Sequence, residues 1–173
     1  MKIALIFLAF LTLASCSTPP DLDAIQTRFE TDTTPYEKLT AMVTEDFQGE
    51  YCFSVGVNII GDFREYSDGW SHTKDYESKL SLSQVLKDVS ISENRYKSYL
   101  ALFKTTQSER ITFCPPSKYY IMAHRSGLGI SGCLLDIVKG VTPPAAYGKR
   151  NNGEDFMEVR VLNNEWWMEY KCT

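Results

Sequence analysis

The chain reads as an α+β protein: an antiparallel sheet with N-terminal and central helices packed on one side, closed by a C-terminal β-hairpin. Three observations predict this class. Capped segments with helical spacing come first, a second helical pair follows one alternating strand, and from Arg110 onward the apolar pattern has period two through several consecutive strands. With 43% hydrophobic and 13% aromatic residues, the 173-residue chain supports one packed body rather than a disordered tail.

Leu22, Ile25 and Phe29 have the spacing of a short helix. The next helix is better marked: Thr34 is placed to cap, Pro35 suits the first turn, Glu37 completes a capping box, and Tyr36, Leu39, Val43 and Phe47 share a face before Gly49 ends it. From Glu50 to Ile60 the period changes. Tyr51, Phe53, Val55, Val57 and Ile59 alternate with small or polar residues, which predicts a strand. Gly61 to Lys79 is a polar stretch with scattered aromatics and room for a hairpin turning at Asp68-Gly69.

Two helices are expected between Ser81 and Thr106. Ser81 and Gln84 fit a capping box, and Ser92 caps the second helix, whose face is Tyr96, Tyr99, Leu100 and Phe103. Strands follow at Arg110 to Cys114, Lys118 to Arg125 and Leu128 to Lys139, the last two around a turn at Ser126-Gly127, with Gly129 and Gly132 marking a bulge or a close backbone approach. Val141 to Glu154 reads as a loop. In the final hairpin, Asn163-Asn164 as a two-residue turn would pair Val161 with Trp166, Val159 with Met168 and Met157 with Tyr170 on one apolar face, leaving Trp167 on a wet face.

The N-terminus carries a different signal. One basic residue, Lys2, precedes an apolar run from Ile3 that ends in small residues at Ala14-Ser15, the parts of a secretory signal. The run is short for a bilayer span, which needs ~20 apolar residues. Leu13-Ala14-Ser15-Cys16 resembles the lipobox of bacterial lipoproteins. The resemblance implies cleavage before Cys16, a diacylglycerol on its thiol and an acylated amine, which together anchor a protein stably. It also implies the outer membrane with the body facing the periplasm, because Ser17 stands where an aspartate holds Gram-negative members at the inner membrane. On this reading 1–15 is a signal peptide, 16–33 the lipidated N-terminus and tether, and 34–173 one globular domain. Loss of Lys2 takes the basic residues from 18 to 17 against 22 acidic, a net charge of −5 that gives no reason to expect nucleic acid or anionic lipid as a partner.

Cys52, Cys114, Cys133 and Cys172 remain, an even number that reads as two disulfides in an exported chain. Three pairings are open, and Cys52–Cys114 with Cys133–Cys172 is the preferred one. No pair has metal-binding spacing, and no cofactor is expected.

Chemistry is sparse. Asp68, His72 and Asp75 cluster in the polar stretch, where a solvated loop is the simpler account. His124 lies near Ser126 and Ser131, but no GxSxG elbow is present, and Gly127 to Gly132 lacks the following helix that a phosphate cradle needs. No catalytic or metal set emerges. Tyr66, Trp70, Tyr76 and Trp167 are the candidate partner-binding residues, since exposed Tyr and Trp anchor interfaces. The expected role is an envelope lipoprotein that binds or supports another protein, an immunity-type lipoprotein being one version. The alternative is an envelope hydrolase acting on cell wall or lipid through carboxylates or His124. Gly127-Leu128, Ser131-Gly132, Lys139-Gly140, Pro143-Pro144 and Trp166-Trp167 also loosely resemble a series found in small uncharacterised bacterial lipoproteins. Cys133 to Val138 interrupts that series, and the resemblance implies no activity.

Overall fold

The computed structural model describes residues 19–128, 131–148 and 155–173. Its elements, in chain order, are α1 (Leu22–Thr31), α2 (Thr34–Asp46), β1 (Phe53–Gly56), β2 (Ile59–Ile60), β3 (Phe63–Tyr66), β4 (Gly69–His72), β5 (Asp75–Leu80), α3 (Leu82–Asp88), α4 (Glu93–Thr106), β6 (Arg110–Cys114), β7 (Lys118–Leu128), β8 (Ser131–Lys139), β9 (Phe156–Val161) and β10 (Trp166–Cys172). The strands form one sheet in the order β5-β4-β3-β2-β1-β6-β7-β8-β10-β9, and every pairing is antiparallel. The fold is therefore α+β, as the pattern predicts.

One core joins the helices to the sheet. Leu22, Ile25 and Phe29 of α1, Tyr36, Leu39 and Val43 of α2, and Tyr96, Tyr99 and Phe103 of α4 meet Val55, Ile111, Ile121, Ile137, Trp166 and Met168. The first helix, expected inside the tether, thus belongs to the body. Its Phe29 ring lies 5.2 Å from that of Trp166. Arg95 staples α4 to the end of α2: its Nε donates to Asp46 at 2.8 Å, its Nη2 to Glu45 at 2.7 Å, and Tyr99 adds a 2.7 Å bond to Asp46. Both disulfides of the preferred pairing are present, Cys52–Cys114 between β1 and β6 and Cys133–Cys172 between β8 and β10. Among the described residues no helix is long and apolar enough to cross a membrane.

Several local expectations change. Thr34 does not cap α2. Thr33 is the cap residue without a side-chain bond, and Asp32 accepts the Thr34 N–H instead. The strand expected from Glu50 to Ile60 folds back after Gly56, so that Val55 faces Ile60, Val57 becomes exposed, and Tyr51 lies outside the strand. The polar stretch does hold a hairpin, but it turns at Ser67-Asp68 rather than Asp68-Gly69, with Tyr66 opposite Gly69 at the start of β4. Ser126 and Gly127 are not a turn but paired residues of β7, opposite Cys133 and Gly132, and Gly129 falls outside the described residues. Gly132 is a close approach: a Cβ there would sit 2.2 Å from the Ser126 carbonyl oxygen.

The final hairpin is shifted by one residue. Trp167 faces Val161, Glu169 faces Val159 and Lys171 faces Met157. The Asn163 side chain accepts the N–H groups of both Glu165 and Trp166, which lengthens the turn beyond two residues. A one-residue shift moves a whole strand face. Met157, Val159 and Val161 therefore lie away from the helices, while Phe156, Glu158 and Arg160 share the helix side with Tyr170 and Met168. β8 and β9 both run against β10, so they are parallel to each other with β10 between them.

Candidate functional site

Only two of the four candidate partner-binding aromatics are on the surface. Tyr66 is 43% and Tyr76 58% exposed, with their rings edge to face at 6.3 Å. Lys79 sits 5.3 Å from the Tyr66 ring centre and pairs with Asp68 at 3.3 Å. The strand that carries Tyr76 is irregular: its pairing with β4 skips from Trp70–Leu80 to His72–Asp75. Inside this bulge the Asp75 carboxylate accepts from the backbone of Glu77 and Ser78 and from the Ser78 hydroxyl. The Ser78 bonds, the hydroxyl first, hold the Asp75 carboxyl below its ordinary range.

Trp70 and Trp167 are corrections. Trp70 is buried on β4, in the core shared with Val85 and Leu86 of α3. Trp167 does point away from the helices, but it is only 2% exposed. Gly140 lies against its rim, so close that an added Cβ would meet the ring at 2.8 Å, and Lys118 sits 5.9 Å from the ring centre. Its Nε1 donates to Glu169 at 2.8 Å.

That helix-free side of the sheet holds a charged row the sequence reading does not anticipate. Arg110 faces Met122, Met122 faces Asp136 and Asp136 faces Glu169 across four strands. Asp136 and Glu169 are both buried, at 3% and 5% exposure. Lys171 stands 3.6 Å from Asp136 and 3.9 Å from Glu169. Burial raises the Asp136 carboxyl above its ordinary value, against the pull of Lys171 and Arg110. Burial likewise lowers the Arg110 guanidinium. The signal was present in the chain: Asp136 is a lone acid between Leu134-Leu135 and Ile137-Val138.

An open groove of about 710 Å³ runs between α2, the start of β7 and the ends of β8 and β10. Lys139 lies in it, donating to Glu37 at 2.6 Å, 3.6 Å from Glu165 and 5.5 Å from the Trp166 ring centre. Trp166 Nε1 donates to the other Glu37 oxygen at 2.9 Å. Glu37, expected to close a capping box, thus ties α2 to the sheet. Across the groove, the Thr44 and Tyr119 hydroxyls bond at 2.9 Å. These groups are spent on one another, and the arrangement locks the helix layer to β8 and β10.

The histidines are not brought into a catalytic set. His72 accepts the Lys74 N–H and stands 4.0 Å from Asp62, while Asp68 turns to Lys79. His124 does not continue the alternation of Tyr120 and Met122. A bulge at Ala123 places it opposite Leu135, and its Nε2 is buried with no hydrogen-bond partner among the described residues. Ser126 faces Cys133. Among the described residues no three His, Cys, Asp or Glu side chains gather as a metal site. Cys16 lies outside the described residues. Compared with protein-family models, with curated proteins and with solved structures, the chain finds no match.

Proposed function

We propose that the protein is a bacterial envelope lipoprotein, anchored to the outer membrane through Cys16, whose periplasmic body binds another envelope protein; an immunity-type block of an incoming toxin is one form of that role. The observation that carries the anchor is the cysteine left over. Cys52, Cys114, Cys133 and Cys172 are consumed in two disulfides, and the remaining thiol, Cys16, stands at the lipobox position. Paired disulfides also suit an oxidising compartment. The binding role is supported by the exposed Tyr66–Tyr76 pair.

The test is the mass of the N-terminal peptide of protein made in a Gram-negative host. Met1 to Ser15 should be gone and Cys16 triacylated, and Cys16→Ala should leave the membrane fraction. An unmodified Cys16 would sink the anchor. For binding, a photo-crosslinker at Tyr76 should capture one stoichiometric envelope protein, and Tyr66→Ala should abolish the capture. Capture unaffected by Tyr66→Ala would move the binding surface elsewhere.

A further inference from the structure

Resting on the acylation of Cys16 proposed above, we infer that the edge formed by the first turn of α1 and by β9 is a membrane-contact surface, and that its partner is the lipid headgroup layer. The argument begins with the leash. From Cys16 to Pro19 the chain reaches roughly 11 Å at full extension. Pro19 and Pro20 follow, with fixed backbone angles that remove slack.

The helix after them is not free to swing. Asp21 caps α1 by accepting the N–H groups of Asp23 and Ala24. Leu22, Ile25 and Phe29 are buried in the common core. The short leash is therefore tied to a fixed point on the body. A body of this size has a radius of gyration of about 15 Å. A leash shorter than that radius keeps its own attachment side toward the bilayer.

Which side that is follows from one ion pair and the strand order. Asp23, in the first turn of α1, pairs with Arg160 of β9, and β9 is the terminal strand of the sheet. Val161, next along β9, is 63% exposed although apolar. Arg160 is shared between Asp23 and Glu158 of its own strand, so the edge stays mildly acidic and its contact does not depend on attraction to anionic lipid. The opposite terminal strand is β5, which carries Tyr76. The same leash that presses β9 to the headgroups presents the tyrosine pair to the periplasm.

The test uses the full lipidated chain in vesicles of phosphatidylethanolamine and phosphatidylglycerol, with an environment-sensitive dye on Val161→Cys or on Tyr76→Cys. The dye at Val161 should shift to the blue and lose most of its emission to a headgroup nitroxide quencher. The dye at Tyr76 should do neither. Inserting roughly twelve Gly/Ser residues before Pro19, a flexible coil long enough to free the body, should erase the difference. Equal quenching at the two sites on protein whose Cys16 mass shows the lipid would overturn the orientation and leave the anchor standing. A difference that survives the long leash would also overturn it. Absence of the lipid by mass would remove the anchor and this inference together.

Discussion

Asp136 is the residue whose chemistry is most exposed to measurement. Its carboxylate is buried on the helix-free side of the sheet beside Glu169, with Lys171 and Arg110 as the nearby cations. The folded chain holds its proton above the ordinary carboxylate value of 3.8, while the unfolded chain releases it there. In the window from 3.8 upward to that raised value, the native state binds more protons, so this group makes stability fall as pH rises. Urea unfolding across that window should show the slope, and Asp136→Asn should flatten it. A variant with an unchanged slope would mean another group sets it. Tyr96 acts at the other end of the scale. Burial pushes its phenol up to about 12, and its hydroxyl donates to the Gly56 carbonyl at 3.0 Å. The folded state keeps this proton where the unfolded chain has lost it, so stability should fall between pH 10 and 12, and Tyr96→Phe should make that fall shallower, leaving the part set by Tyr36 and Tyr99, whose phenols burial also raises. Individual residues were unevenly legible in the sequence. Asp136 was marked by its apolar flanks. The burial of Trp167 was not, because Gly140 and Lys118, which close over it, come from other parts of the chain.

At the scale of elements, local signals held where the chain closes its own bonds. Ser81 with Gln84 forms the expected reciprocal box, and Ser92 accepts the Arg95 N–H at 3.1 Å. Ser92→Ala should therefore cost about 1 kcal/mol. Thr33→Ala should cost far less, because Thr33 makes no side-chain bond at its helix end. Paired urea titrations check this, and equal losses would contradict it. Signals failed where a distant partner decides. Glu37 has the spacing of a capping residue, yet Trp166 and Lys139 take both of its oxygens. The β9–β10 register differs from the two-residue-turn pairing because Asn163 accepts two backbone N–H groups and lengthens the turn. Alternation alone favoured an apolar β9 face toward the helices. The observed register puts Arg160 there instead, where it reaches Asp23 on α1. The candidate surface was half legible for a related reason: composition marks an aromatic loop, but which rings tuck inward depends on α3 packing over Trp70.

For the molecule as a whole, the two disulfides dominate what can be predicted. They close loops with sequence separations of 62 and 39 residues. In the chain-entropy description each bridge stabilises by about 4 kcal/mol, the longer slightly more. Replacing either pair by alanines should lower the urea midpoint accordingly, and a negligible change would mean that the unfolded chain is already constrained there. The fold class was legible because runs of alternating strands are a long-range pattern, but the sheet's strand order was not, since β10 inserts between β8 and β9 and β6 returns to β1. The bridges are also arranged in series: one closes before Pro115, the other opens at Cys133, and neither spans the segment between them. A protease cut within 53–113 or 134–171 leaves all of the material downstream of Cys52 covalently joined under non-reducing conditions. A single cut within 115–132, after Lys118 or Arg125 for instance, divides the polypeptide into two pieces held together only by non-covalent strand pairing and helix packing, and an unreduced denaturing gel would resolve them.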